Sequence, residues 1–474
     1  MDQTKSRSCS SIDSVANRQP MQTLTRAAAL ASNPSGPPEA ADLRWVILDH
    51  WAIPKGSSVN VVADDKTAAE CRTSSGRPFR ISLGTTAPPA ISFMCVDPAG
   101  DGRSRSKAVE FADKHVYVIA AHGDSVLFRR RRVPQPRQRL DSYRPSDDCF
   151  VYRAVAGGRP PSLSLLPSCS CIPMIERDCG GEYGPTAREL DQADTGILRC
   201  GNDEILVAQL KIAHAAPFDT AELCLLLPGR TKWELKTAVP IVHNNGAKRH
   251  DLLMWQETHV VVPVGDRFLC WVNFDCSTLL LCDIAAVEDP KLWYVPLPVK
   301  AVPPKDDEED FFDDHYEEQL PWLYYRSIGA VGPEMVRFIS IDNRCCCGAH
   351  VIRSSCEHSS SAFMVTMWTL ELRTAEPMKW VKEAVLDCEE LWSLAACKGL
   401  PRVHLTCPVV SMENPDVVCF MAKEGDMLWT VDIDMRRKSL ISAMPCPPHH
   451  PSLLYRRPSR SQGLRPSSDF RDSP

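Results

Sequence analysis

The chain has 474 residues, of which 44% are hydrophobic and 24% charged, and its formal net charge is −6. Proline (39 residues) and glycine (23) follow no repeat and aromatic residues make up 7%, so collagenous, coiled-coil and wholly disordered classes are excluded. No apolar run approaches the roughly 18 residues that span a bilayer. We expect a globular protein with no membrane partner.

Both ends of the chain have the composition of disordered tails. Residues 1–42 are rich in Ser, Ala and Arg and end in the breaker cluster NPSGPP at 33–38, so we predict a disordered N-terminal tail. A plastid transit peptide is the alternative, although Asp2 and Asp13 depart from its acid-poor signature. Residues 447–474 are basic and rich in Ser and Pro, and predict a second disordered tail in which Ser459 follows two arginines, as in a basic-directed phosphorylation site.

Residues 43–446 contain about two dozen short apolar runs separated by turn residues. Apolar and polar residues alternate over 206–212, 364–373 and 429–435, a period typical of half-buried strands in antiparallel sheets. The most plausible helical segment covers 382–400. The sequence therefore predicts a mainly β domain.

Two local patterns recur between these runs. Gly-acid turns occur at Gly123-Asp124, at 201–203, at Gly265-Asp266 and at Gly425-Asp426, and they predict hairpins. A tryptophan also follows a polar turn at three positions (Trp233, Trp293 and Trp380), which we interpret as core or inter-blade packing. Repeated meanders of this kind predict a β-propeller-like array of four-stranded blades, about six in number. Several β-sandwich units are the alternative.

Two charged segments interrupt the pattern. The acidic insert at 305–318 has a net charge of −8, which leaves +2 on the rest of the chain, so acidity belongs to one loop. The arginines at 129–132, 137 and 139 predict a solvated loop. These arginines and the basic C-terminal tail also suggest an alternative, a nuclear, nucleic-acid-associated regulator. Because the rest of the chain is nearly neutral, it would attract nucleic acid only weakly, and we expect no nucleic-acid partner.

The chain has 21 cysteines, an odd number, so at least one thiol is not paired within the chain. The polar N-terminus lacks the apolar region of a secretory signal, and no glycosylation sequon occurs. We therefore expect a cytoplasmic or nuclear protein with reduced cysteines.

An ordered set of runs identifies a family resemblance. These runs are WVILD at 45–49, ISFMCV at 91–96, CFVYRA at 149–154, PSLSLLP at 161–167, FLCWV at 268–272, LLLCD at 279–283 and YVPLP at 294–298. Over about 45–444 the chain resembles a plant family, expanded in grasses, that is named only as domain of unknown function 1618. In style that family resembles the propeller domains that follow F-boxes in substrate adaptors. The resemblance implies a propeller-like fold and no activity, and because no F-box-like signature precedes Trp45, it implies no adaptor role.

The sequence contains no motif for catalysis or phosphate binding, and we assign no catalytic, cofactor-binding or metal-binding residue and no cofactor. Two cysteine clusters are weak candidates for zinc, Cys345–Cys347 with Cys356 and His358, and Cys169 with Cys171 and Cys179. The histidines at 243, 250 and 259 are interpreted as parts of a polar hairpin. The leading hypothesis is a non-enzymatic scaffold that binds a protein partner through face loops, and the alternative is an enzyme with a site in the central channel.

Overall fold

The structure is a computed structural model that describes residues 27–29, 45–55, 64–86, 88, 91–97, 115–131, 147–154, 159–169, 188–201, 204–212, 219–243, 255, 257–300, 322–344, 362–374, 377–394, 397, 400–425 and 427–446. Strands dominate these residues, and two short helices, α1 (Trp322–Tyr325) and α2 (Cys388–Ser393), accompany them. No helix among the described residues has the length and apolar character needed to span a bilayer.

The strands form six sheet units, which we number as blades 1 to 6 in chain order. Blade 1 holds β1 (Ala27–Ala29), β2 (Trp45–Leu48), β3 (Ile53–Pro54), β4 (Ala69–Arg72), β5 (Pro78–Gly84) and β6 (Ile91–Asp97). Blade 2 holds β7 (Val116–His122), β8 (Ser125–Arg130), β9 (Asp148–Arg153) and β10 (Ser162–Leu165). Blade 3 holds β11 (Thr195–Arg199), β12 (Ile205–Ile212), β13 (Thr220–Leu226) and β14 (Glu234–His243).

The last three blades each have four strands. Blade 4 holds β15 (Val260–Val264), β16 (Phe268–Asn273), β17 (Thr278–Asp283) and β18 (Leu292–Pro296). Blade 5 holds β19 (Arg326–Ala330), β20 (Met335–Asn343), β21 (Phe363–Glu371) and β22 (Val381–Asp387). Blade 6 holds β23 (Leu405–Val410), β24 (Val417–Glu424), β25 (Met427–Asp434) and β26 (Ser439–Cys446).

Blades 2 to 6 are antiparallel meanders in which each strand pairs with the next along the chain. Blade 1 differs, because β2 and β3 both pair in parallel with β6, while β4, β5 and β6 are antiparallel neighbours. The outermost strands of blades 3 and 4 also pair in parallel, with Ile241 opposite Leu292, so these two blades form one eight-stranded sheet.

Buried apolar clusters join each blade to the next and the last blade to the first. Representative members are Phe79, Phe128 and Phe150 between blades 1 and 2; Ile119, Leu127 and Ile197 between 2 and 3; Leu223, Trp271 and Leu280 between 3 and 4; Phe268, Phe338 and Leu370 between 4 and 5; Ile339, Phe363 and Phe420 between 5 and 6; and Phe93, Val409 and Met421 between 6 and 1. Six seams for six blades make a closed ring. The propeller-like array predicted from the sequence is confirmed, and separate β-sandwich units do not describe it.

The prediction of half-buried strands is confirmed around the end of β21, where buried Leu370 and Leu372 alternate with exposed Glu371 and Arg373. It was wrong for β12, which is covered on both faces over most of its length. In β12, Leu206 and Leu210 pack towards blade 4, whereas Val207 packs towards blade 2. Gln209, which we placed on the polar face, is fully buried, and its amide donates to Asp194 Oδ1 at 2.9 Å. Because each face of blade 3 packs against a neighbouring blade, β12 has little contact with solvent, and its buried polar residues need partners within the protein.

The structure departs from two further predictions, the helix over 382–400 and the disordered tail over 1–42. The helix predicted over 382–400 is mostly wrong, since Val381–Asp387 is a strand and helix occupies only Cys388–Ser393, where Asp387 and Glu390 form a capping box. Ala27–Ala29 pairs with β2 although it lies in the tail predicted for 1–42. The rest of that tail, the acidic insert 305–318 and the tail 447–474 lie outside the described residues.

The predicted packing role of the tryptophans is confirmed, and hydrogen bonds add to it. Trp233 of the loop before β14 donates through Nε1 to the Pro167 carbonyl of blade 2 at 2.9 Å. Trp380 beside β22 donates to the Pro296 carbonyl of blade 4, also at 2.9 Å. Trp271 of β16 donates at 2.8 Å to the Asp194 carbonyl, next to β11 of blade 3. Each indole therefore ties its blade to the preceding one.

Candidate functional site

The first strands of the blades surround the axis of the ring, because β7, β11, β15, β19 and β23 contact one another in succession. A cavity of about 460 Å³ lies where four of these strands end, and we call it the axial cavity. Apolar residues of blades 2, 4, 5 and 6 form most of its wall, among them Ala121, Val261, Ile328, Val409 and Met412.

Glycines let the strands and turns around this axis approach closely. A Cβ on Gly196 of β11 would lie 2.6 Å from Val261 Cγ1 in the next blade. Gly265, in the turn between β15 and β16, has a φ of +57°, and a Cβ there would lie 2.4 Å from the Pro333 carbonyl oxygen. The turn of blade 4 therefore packs directly on the turn of blade 5, and only glycine fits the contact.

The four Gly-acid turns do not have equivalent positions. Gly123 joins β7 to β8 and Gly265 joins β15 to β16, so both turns lie at the axial cavity. Gly425 joins β24 to β25, the two middle strands of blade 6. Gly201 follows β11, and residues 202–203 of that turn lie outside the described residues. The predicted hairpins are confirmed at 123, 265 and 425, where each glycine has a positive φ.

His122 is the one titratable side chain among the described residues that line the axial cavity. Its ring Nδ1 accepts a hydrogen bond of 2.9 Å from the backbone N–H of Arg199 in blade 3. Burial, followed by the Arg199 charge, lowers the pKa of His122 from 6.5 to about 4, against smaller opposing effects of Asp124 and Asp266. At neutral pH the ring is therefore uncharged, and its proton is on Nε2 because Nδ1 is the acceptor.

An ion pair borders the cavity beside this histidine. The Asp124 carboxylate, whose side chain is 7% exposed, lies 3.5 Å from Arg199 Nη1 and accepts a hydrogen bond from Ser125 Oγ. A Cβ on Gly123 would lie 3.1 Å from Arg199 Cδ, so the turn glycine makes room for the arginine. A cleft of about 70 Å³ lined by Asp124, Arg153, Arg159 and Arg199 continues from this pair.

No sequence motif marks this group of residues. His122 precedes a Gly-acid turn, which marks a hairpin, but nothing local indicates that Arg199, 77 residues later, donates to its ring. That pairing depends on the ring bringing the end of β7 beside the end of β11.

Most of the residues predicted as weak metal candidates cannot be placed in the fold. Cys345–Cys347, Cys356 and His358, together with Cys171, Cys179 and His250, lie outside the described residues. Within the described ranges, no three Cys, His, Asp or Glu side chains form a group that could hold a metal ion. His243 packs against the Tyr294 ring, while His259 accepts from the Phe274 N–H and lies 3.4 Å from an Asp275 oxygen, so the two histidines have separate surroundings.

The solvated arginine loop was a wrong prediction for its first two residues. Arg129 lies in β8 with its guanidinium over the Tyr117 ring, 5.4 Å from the centroid. Arg130 is 3% exposed and lies over the Phe79 ring. Both hold blade 2 in place, because the long stems of arginines pack well on aromatic faces. Arg131 is exposed, and residues 132–146, with the last three arginines of the run, lie outside the described part of the chain.

Comparison with known proteins supports the family resemblance. Residues 271–419 match the model of a family described as "Protein of unknown function (DUF1618)", which confirms the predicted resemblance over that segment. No curated protein matches the chain by sequence.

Solved structures show distant similarity. The periplasmic gluconolactonase PpgL of Pseudomonas aeruginosa is 7% identical, covers 80% of this chain and 84% of its own, and has a TM-score of 0.27. A structural-genomics protein of Lactobacillus plantarum is 8% identical over 80% and 94% of the two chains, with a TM-score of 0.27. A streptogramin B lyase is 9% identical over 76% and 91%, with a TM-score of 0.23. The fold assignment rests on the strand topology described above.

Proposed function

We propose that this protein is a non-enzymatic scaffold that binds a protein partner on the face of the ring where the axial cavity opens. The observation that carries the proposal is the cavity itself, about 460 Å³ with a mainly apolar wall drawn from four blades. A buried apolar pocket bordered by polar groups is typical of sites that anchor one side chain of a partner. We propose an apolar side chain of the partner as the anchor.

Charged residues close in sequence to the cavity lining support polar surroundings for that anchor. Asp124, two residues after His122, forms an ion pair with Arg199. Arg267, two residues after Gly265, pairs with Asp283 of its own blade and lies 3.8 Å from Glu334 of blade 5. Charged groups at the edge of an interface orient a partner more than they add affinity.

The chemistry of His122 favours recognition over acid-base catalysis. A general base needs a free lone pair within reach of substrate, and the acceptor nitrogen of this ring is already bonded to the Arg199 N–H. The other nitrogen carries the proton and can only donate. None of the other described residues that line the cavity is a carboxylate or a second histidine.

The described arginines do not favour a nucleic-acid partner. Arg129 and Arg130 pack inside the protein and do not form an exposed basic patch, so they add nothing to a nucleic-acid surface. We also propose a cytoplasmic or nuclear location, supported by thirteen described cysteines that are present as thiols and not as disulfides.

Two methionines of blade 6 offer a matched test. Met412 lines the axial cavity, whereas Met427 begins β25 and is 47% exposed elsewhere on the same blade. Affinity purification with mass spectrometry should recover the same partner with the wild type and with Met427→Asp, and lose it with Met412→Asp. Circular dichroism of both variants checks that the ring is intact. A partner retained by a folded Met412→Asp protein would refute the proposed site.

A further inference from the structure

Two thiols from different blades lie in contact at the seam between blades 2 and 3. Cys169 follows β10 and Cys224 lies in β13, and their Sγ atoms are 3.4 Å apart. Cys169 is 5% exposed and Cys224 fully buried. A disulfide needs its sulfurs at about 2.05 Å, so a small movement of the two side chains would bring them into bonding range.

Backbone and side-chain contacts on both sides hold this pair in place. The Trp233 indole donates to the Pro167 carbonyl, two residues before Cys169. The backbone N–H of Arg188 donates to the Cys169 carbonyl at 2.7 Å, and the Arg188 guanidinium lies 3.4 Å from the Glu222 carboxylate, two residues before Cys224. The segments that carry the two thiols are therefore fixed to each other independently of the sulfurs.

A cavity gives small molecules a route to one of the thiols. About 190 Å³ of space lies beside Cys169, lined also by Leu166, Ser168 and the side chains of Arg129 and Arg188. Hydrogen peroxide is small enough to reach the sulfur from this side. Cys224 lies behind Cys169 and is placed to attack it in turn.

We propose that Cys169 and Cys224 are a modification site, at which a peroxide oxidises the two thiols to a disulfide that links blade 2 to blade 3. The Cys169 thiolate attacks one peroxide oxygen, breaks the O–O bond and becomes a sulfenic acid, while the other oxygen leaves as water after taking up a proton. Cys224 then attacks the sulfenic sulfur, the S–S bond forms, and the hydroxyl leaves as a second water. The peroxide is reduced by two electrons and the dithiol is oxidised by two; an added thiol reverses the step.

Tryptic peptides make the link easy to read. Cleavage after Arg and Lys, except before Pro, places Cys169 in peptide 154–177 together with Cys171, and Cys224 alone in peptide 212–230. The full-length protein, reduced and then treated with hydrogen peroxide under native conditions, is blocked with an alkylating agent, digested and analysed by mass spectrometry. We expect the two peptides linked to each other, and separate again after reduction.

Cys171 supplies the matched control. Cys171→Ser should keep the linked peptides, whereas Cys169→Ser and Cys224→Ser should lose them. Fragmentation of the wild-type linked peptide between 169 and 171 assigns the bond even where a serine variant fails to fold. A bond to Cys171, or sulfinic and sulfonic products with no link between these peptides, would overturn the proposal. With the bond formed, the urea midpoint of the wild type should rise relative to the reduced protein, and that of Cys224→Ser should not.

Discussion

Substitution of Gly265 tests how tightly the turns around the axis pack. Gly265 and Gly425 have nearly the same backbone, with φ of +57° and +56°, so alanine meets the same conformational penalty at both. Their surroundings differ, because a Cβ at 265 would lie 2.4 Å from the Pro333 carbonyl oxygen and a Cβ at 425 has nothing within 4 Å. The pair of variants therefore separates backbone strain from the contact between blades 4 and 5.

The expected losses of stability follow from the backbone strain and from the contact with Pro333. A left-handed conformation costs an alanine about 1–2 kcal/mol, which is the whole effect expected for Gly425→Ala. At 265 the carbonyl of Pro333 belongs to the backbone and cannot rotate away, so the turn of one blade must shift. Overpacking of this kind costs about 1–3 kcal/mol more. We expect Gly265→Ala to lower the free energy of unfolding by about 2–5 kcal/mol.

Urea denaturation followed by tryptophan fluorescence measures both variants against the wild type, with the m value checked for each. The midpoint should fall clearly further for Gly265→Ala than for Gly425→Ala. Equal shifts would mean that the two turns are not in contact, and would refute the packing described around the axial cavity.

Three further substitutions test single interactions. His122→Asn keeps an acceptor near the position of Nδ1 but does not titrate. Because the pKa of His122 is about 4 in the folded protein and 6.5 in the unfolded chain, the free energy of unfolding of the wild type should fall by up to about 3 kcal/mol between pH 6.5 and 4. Urea midpoints should show a smaller fall in the variant. Asp49 has the opposite effect, because burial raises its pKa to about 7. Its ionisation should lower the free energy of unfolding of the wild type as pH rises from 4 to 7. Asp49→Asn should remove that part of the pH dependence of stability. Trp380→Phe deletes the donor to the Pro296 carbonyl and should lower stability by about 1–2 kcal/mol, while an unchanged midpoint would show that this bond does not tie blades 4 and 5.

Much of the fold was accessible from the sequence because strands and hairpins are local. Alternation over 206–212 located β12, and the glycine of each Gly-acid turn marked a positive φ at 123, 265 and 425. Burial was not accessible in the same way. Gln209 alternates with apolar residues as a surface residue would, and its partner Asp194, which precedes β11 of the same blade, is visible only in the folded structure.

The candidate site was not accessible because it consists of contacts between distant parts of the chain. His122 meets Arg199, and Cys169 meets Cys224, through the packing of blade 2 on blade 3. The arginines at 129 and 130 show the same limitation, since a charged run predicts solvent exposure and the aromatic rings beneath them are supplied by other strands.

Closure of the ring is tested most directly by a crystal structure of the full-length protein. We predict six blades in which Phe93 of the first packs against Val409 and Met421 of the last, with the axial cavity lined by β7, β15, β19, β23 and the turns that follow them. First and last sheets that face solvent, or that pack on elements other than each other, would contradict the closed ring and with it the site proposed at its axis.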